Sequence, residues 1–245
     1  GTDLTISSGN DIVLALGAAG SVYHTGDGGS LNTIYGYEAG IALASGGNNN
    51  VLLGNISGTG LTTGGDNVAI GYQALRRATT AADENIAIGR DSMGGNFTTA
   101  DVNGCVAVGY DTLSGTLTSG ALGTVAIGLQ SLKALTSGSQ NTAIGWTSML
   151  QHTTGSYNTC LGYGTMKDTG EGNTSANSVS NVFIGVGTGG GDWADVQSNY
   201  NIGIGNNVMD AAMNGALSNV GVGHNSLTTL TSGDDNVAIG YDAAG

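Results

Sequence analysis

Proline is absent from this 245-residue chain, and charge is scarce: 9% of residues are charged, with five basic against eighteen acidic side chains. A chain without proline leaves every backbone N–H available to a ladder of stacked strands, which proline would interrupt. Few charges beside 39% hydrophobic residues argue against a disordered linker. The net charge of −13 opposes binding to nucleic acid or to anionic lipid. No run approaches the ~20 apolar residues of a spanning helix, so no membrane insertion is expected. The chain opens at Gly1 without a basic, apolar signal segment, which reads as a piece of a longer polypeptide. The only two cysteines, Cys105 and Cys160, fall three repeats apart. At a strand spacing of ~4.8 Å that separates them by roughly 14 Å, too far for a disulfide.

Glycine is what the chain has in excess, with 46 residues, and much of it is periodic. The string Asn-Val-Ala-Ile-Gly, with variants, recurs twelve times. Its final glycines are Gly36, Gly54, Gly71, Gly89, Gly109, Gly128, Gly145, Gly162, Gly185, Gly205, Gly223 and Gly240, spaced 17 to 23 residues apart. Collagen is excluded because no Gly-X-Y period exists. A period this short predicts an all-β parallel solenoid of about twelve short coils, each too small to bury its own apolar side chains without neighbours. The repeat divides the chain into residues 1–31, an N-terminal strand segment leading in, and residues 32–245, the solenoid.

With the glycine counted as zero, position −4 is Asn in ten coils, the exceptions being Cys105 and Thr124. Position −3 is Val, Ile or Thr, and position −1 is Ile, Val or Leu apart from Tyr35. These two share one face of a short strand. Position −2 is small in most coils, with Ile34, Leu52 and Phe183 departing. Its small side chain, on the opposite face, is expected to admit the backbone of a neighbouring chain. Position +4 is usually Leu or Met and is expected to return to the core. Thr-x-Gly segments such as Thr136-Ser137-Gly138 close the coil. The repeated Asn predicts a ladder of stacked amides through Asn67, Asn85, Asn141, Asn158, Asn181, Asn201, Asn219 and Asn236, which fixes register.

The stretch Asn67-Val68-Ala69-Ile70-Gly71-Tyr72-Gln73-Ala74-Leu75 resembles the 17-residue repeats of bacteriophage tail-fibre proteins, of the form Asn-Thr-Ala-Ile-Gly-Tyr-x-Ala-Leu. Gly138 to Met166 and Gly233 to Tyr241 match the same pattern. A related 14-residue form builds the left-handed β-roll head of trimeric autotransporter adhesins. Residues 1–31 are similar to strands that enter the fibrous part of tail fibres. The resemblance implies a parallel homotrimer in an appendage outside the cell. The chain would be a shaft or receptor-binding region of a virion tail fibre, its partners two further copies of itself and a host cell-surface glycan or protein. A bacterial adhesin head is the alternative, and the sequence following residue 245 would separate the two: a coiled-coil stalk with a membrane anchor, or a self-cleaving chaperone domain. Three slender rolls around an axis would also cover an apolar face that a single roll leaves wet.

Candidate sites lie where the period lengthens, since insertions in solenoids map to loops. The longest gap holds Lys167, Asp168 and Glu171; the next holds Asp192, Trp193 and Asp195. Trp193 flanked by carboxylates suggests a sugar-stacking platform, set against the plainer and favoured role of covering an insertion or packing on another chain. Tyr72, Tyr110, Trp146, Tyr163 and Tyr241 recur at position +1, as a structural stripe stacked coil on coil or, less favoured, a glycan-binding one. A polysaccharide-cleaving tailspike would need carboxylates ~5–10 Å apart. Only Asp168 with Glu171, or Asp192 with Asp195, offer themselves in the loops. No catalysis and no cofactor are expected. His24, His152 and His224 show no metal-ligand spacing. The acidic turns at Asp66 and Asp234-Asp235 lack the nine-residue repeat of calcium β-rolls, so no metal is expected either.

Overall fold

The computed structural model describes residues 29–78, 82–96, 102–118, 120–169 and 177–245. Twelve three-residue strands form one sheet: β1 (Thr33–Tyr35), β2 (Val51–Leu53), β3 (Val68–Ile70), β4 (Ile86–Ile88), β5 (Val106–Val108), β6 (Val125–Ile127), β7 (Thr142–Ile144), β8 (Thr159–Leu161), β9 (Val182–Ile184), β10 (Ile202–Ile204), β11 (Val220–Val222) and β12 (Val237–Ile239). Their order in space is their order in sequence. Every pairing is parallel, and equivalent repeat positions face each other throughout, as in Val125↔Thr142, Ala126↔Ala143 and Ile127↔Ile144. The protein is therefore an all-β parallel solenoid. At ~4.8 Å per strand, its twelve rungs extend over about 55 Å.

Outside the strands the coil is turns, and their geometry also repeats. Residues at −5, +2 and +4 have φ near +50 to +65° in every coil, for example Gln140, Thr147 and Met149. Positions −5 and +2 mostly carry Asn, Asp, Gln, Glu or Gly, side chains that tolerate or favour this left-handed region. At +4 the same conformation falls on Leu or Met, which costs about 1–2 kcal/mol. Complete burial of Leu75, Leu113, Leu132 and Met149 offsets that cost, since each such side chain gains about 1.5–3 kcal/mol. The glycine at zero admits no such trade. Gly145 has φ +139°, open to glycine alone. A methyl group there would also collide with the carbonyl oxygen of Gly162, one coil on.

The core is a single file of side chains inside the coil. Position −2 points inward: Ala69, Ala87, Ala107, Ala126, Ala143 and Cys160 are fully buried beside the Leu or Met at +4. Positions −3 and −1 point outward and are half-buried or exposed, as in β7. This corrects the expectation that the small −2 residue marks the approach of another chain. It is small because the coil's own interior is narrow and the +4 side chain fills most of it.

The three departures at −2 obey the same limit. Where −2 is large (Ile34, Leu52, Phe183), position +4 is glycine (Gly40, Gly58, Gly189). A Cβ on Gly189 would lie 2.9 Å from the Phe183 ring, and one on Gly58 2.8 Å from Leu52. Gly203, paired with Phe183 across β9 and β10, makes further room. The large side chain has moved from the turn position +4 to the facing strand position −2.

This exchange predicts a strong coupling. Phe183→Ala alone should destabilise by about 3–5 kcal/mol. Gly189→Leu alone should also destabilise, through overlap with the ring. The double variant restores the Ala/Leu pairing of the other coils. Thermal unfolding should show it more stable than either single variant, with a coupling of about 2 kcal/mol or more.

Candidate interaction surface

The asparagines at −4 lie at the inner corner where each strand begins, and all but the terminal Asn236 are buried. Each side-chain oxygen accepts two hydrogen bonds from the next asparagine. Asn158 donates to Asn141 Oδ1 from its backbone N (3.0 Å) and from Nδ2 (3.1 Å). Asn181, Asn201, Asn219 and Asn236 repeat the pattern in turn. The Nδ2 group also donates to a carbonyl closing the following coil, such as Asn201 Nδ2 to Ala216 O at 2.9 Å. A first run links Asn32, Asn50, Asn67 and Asn85. Cys105 and Thr124 interrupt the amide chain between the two runs, although Cys105 N still donates to Asn85 Oδ1.

A second polar file was not recognised in the sequence. Position +3 carries Ser57, Ser92, Ser131, Ser148 and Ser226, each donating its hydroxyl to the −2 carbonyl of the next coil. Thr112 and Thr188 reach instead the glycine carbonyl of the next coil, Gly128 and Gly205. Its signal was a small hydroxyl three residues after the glycine in eight of twelve repeats.

Outside, two columns of side chains run the length of the sheet. Positions −3 and −1 of β1 to β12 contain no charged residue. Among them Ile86, Leu161, Ile202, Ile204, Val237 and Ile239 are exposed. Beside this strip the +1 residues form an outer file with contacts from coil to coil. Arg90 stacks between the rings of Tyr72 and Tyr110, 5.6 Å from each. Trp146 meets Tyr163 edge-on at 5.4 Å, and His224 stacks on Tyr241 at 5.5 Å. Trp146 remains 56% exposed.

The loop candidates fare differently. Trp193 is 1% exposed. Its indole N–H donates to Gly189 O at 2.9 Å, and its ring packs edge-on against Phe183 at 6.0 Å. It is a core residue and cannot serve as a sugar platform. Asp192 and Asp195 on either side of it are exposed. Trp193 N donates to Asp168 O, which brings the Lys167–Asp168 turn and the Asp192–Asp195 turn onto adjacent coils. Lys167 Nζ is spent on Asp168 at 3.3 Å. Glu171 lies outside the described residues.

A shallow groove of about 450 Å³ crosses the coils at Gln130, Lys133, Leu150 and Gln151. Its one cation, Lys133, bonds to Asp111 at 2.7 Å. Burial alone would raise the Asp111 carboxyl, but hydrogen bonds from Lys133, Ser114 and Gln130 outweigh it and hold the group below the usual carboxylate range. Among the described residues no group of three His, Cys, Asp or Glu side chains could hold a metal ion. Comparison of the chain with family models, with curated proteins and with solved structures found no match. The surface that remains, once the loop residues are placed, is the outward apolar strip of the sheet with its aromatic border.

The ladder makes a quantitative prediction. Asn201→Ala removes the side-chain bonds to Asn181 and Ala216 and leaves the backbone N–H of Asn219 and one of its two amide hydrogens without an acceptor. With about 1–3 kcal/mol per stranded buried group, the loss should reach about 3 kcal/mol or more. Cys105→Asn supplies the missing amide next to Asn85 and should raise the thermal midpoint. Paired melts against the parent chain check both.

Proposed function

We propose that this chain is a structural and adhesive segment of a trimeric fibre outside the cell, of the bacteriophage tail-fibre kind, serving as shaft or receptor-binding region and carrying out no catalysis. The single observation that carries this reading is the uncharged outward face of the sheet. Twelve rungs present it, with Val, Ile, Leu or Thr at positions −3 and −1 apart from Tyr35. Ile86, Leu161, Ile202, Ile204, Val237 and Ile239 on this face are exposed. Monomeric proteins rarely leave so large an apolar surface continuous and open.

A second copy offers the same strip at the same 4.8 Å rise, so parallel copies can meet rung for rung. The repeat resemblance supplies the number three. The fibre role rests on the same resemblance, together with a rod built from identical rungs and a surface of low charge. The receptor is a host cell-surface glycan or protein, met by whatever the assembled rod leaves outside, the +1 file included.

Sedimentation equilibrium tests the assembly. At micromolar concentration the mass should be three times the 24.1 kDa of the chain; a monomer would overturn the proposal. Ile144→Lys with Ile204→Lys, both at outward −1 positions, should abolish the trimer. The coil itself should survive, because neither side chain belongs to the core. If the doubly substituted chain still sediments as a trimer, another face mediates assembly.

A further inference from the structure

His152 occupies a place where other coils put an apolar side chain. Seven residues after the glycine stand Leu43, Leu61, Leu135 and Leu230; here it is an imidazole, and it is fully buried. The ring lies against Gly155, and its Nε2 is 3.3 Å from Asn158 Nδ2. Its Nδ1 has no hydrogen-bond partner.

The orientation of Asn158 is not free. Its Oδ1 accepts from both the backbone N and Nδ2 of Asn181, at 3.0 and 3.1 Å. Its Nδ2 donates to Asn141 Oδ1 and to Ser178 O, at 3.1 and 2.9 Å. Flipping the amide would break the ladder in both directions. The NH₂ group therefore faces His152 with both hydrogens given to Asn141 and Ser178, and it offers the ring no acceptor. Protonation would add an N–H at Nε2 and set donor against donor there, while Nδ1 has no partner in either form.

Little nearby would stabilise the cation. At the same place in the flanking coils stand Leu135 and Thr169, both buried. Among the described residues of those coils, Lys133 is bonded to Asp111 and Lys167 to Asp168, and both pairs are partly solvated. Among the described residues no carboxylate contributes to the shift of the ring. Burial pushes its pKa down to about 4, only partly opposed by the backbone of Gly155. In the unfolded or opened coil the value returns to about 6.5.

We propose that His152 is an acid-release point in the rod: protonation expels the ring, opens the Met149–Asn158 turn and severs the asparagine ladder at Asn158 while the other rungs hold. The sign follows from proton uptake. Between about pH 6.5 and pH 4 the open coil binds a proton that the closed coil does not. Closure is therefore fully favoured above that window and weakens as pH falls through it.

Amide hydrogen exchange on the full chain tests this. After correction for intrinsic rates, protection of the Met149, His152 and Asn158 amides should fall roughly 70-fold between pH 7.5 and pH 4.5. The Asn219 coil should change little, and the His152→Leu variant should not show the local loss. Equal losses in parent and variant, or no loss in the parent, would overturn the proposal. A titration of the His152 ring by NMR keeps the test decisive if the variant does not fold. A ring that stays neutral until the amides lose protection supports the release; one protonated near pH 6.5 within a protected coil refutes it.

Discussion

Everything in this rod depends on each coil bringing the chain back into register one strand spacing further along. Its backbone hydrogen bonds run between coils, parallel to the rod axis. The N–H at −3 bonds the −4 carbonyl of the next coil, as Val125 does with Asn141, and the N–H at zero bonds the −1 carbonyl of the previous one, as Gly145 does with Ile127. The left-handed residues at −5 and +2 also donate backward, and the one at +4 donates forward. A turn with different dihedral angles would aim these groups sideways and leave them unpaired in a structure with no second layer to receive them. The glycine at zero and the left-handed positions are thus consequences of axial bonding.

The interior follows from the same geometry. A coil of three-residue strands and tight turns encloses a channel about one side chain wide, so volume must be conserved within each rung rather than across the core as a whole. Alanine with leucine, and phenylalanine with glycine, are two solutions to one constraint. The polar side of the channel is just as restricted. The amide at −4 donates to a carbonyl that closes the next coil, as Asn141 does to Gly155, and the hydroxyl at +3 donates to the −2 carbonyl of the next strand, as Ser131 does to Ala143, so each bonds the next rung. Stacked amides also discriminate register: a slip by one residue would bury Val or Gly where Asn is needed.

Much of this was legible in the sequence. The period, the parallel in-register sheet and the glycine corner all come from residues that no other environment would repeat so faithfully. The direction in which the strand faces did not follow. Position −2 and its neighbours are apolar on both sides, so alternation gives no sign of which side is core; only the reciprocity between −2 and +4 reveals it, and that pattern lies in pairs of positions rather than single ones. The less favoured sugar-platform reading of Trp193 fails for a related reason. Among glycines and aspartates it has the local signature of a surface loop, yet it is buried against Phe183, which no local pattern announces. His152 gave no local signal, because the buried residues at its place in the flanking coils, Leu135 and Thr169, are a full coil away in sequence.

The division between inner and outer positions bears on how such a chain can vary. Positions −4, −2, 0, +3 and +4 hold the coil together, and each is tied to a partner in the same or the next rung. The outward positions −3, −1 and +1 touch little within the chain beyond neighbours in their own files. Substitution there leaves the coil intact, whereas substitution within the channel disturbs at least two rungs. The surfaces offered for the proposed assembly are therefore ones that the fold does not need for its own stability. An outer file can hold Arg90 between two tyrosines in one stretch and Trp146 beside Tyr163 in another while the rungs beneath keep the same hydrogen bonds. The uncharged strip departs from that freedom. Nothing in the coil requires Val, Ile or Leu at −3 and −1 to the exclusion of charge. That twelve successive rungs keep it uncharged therefore has no origin in the chain's own fold, and it is on this that the proposed assembly rests.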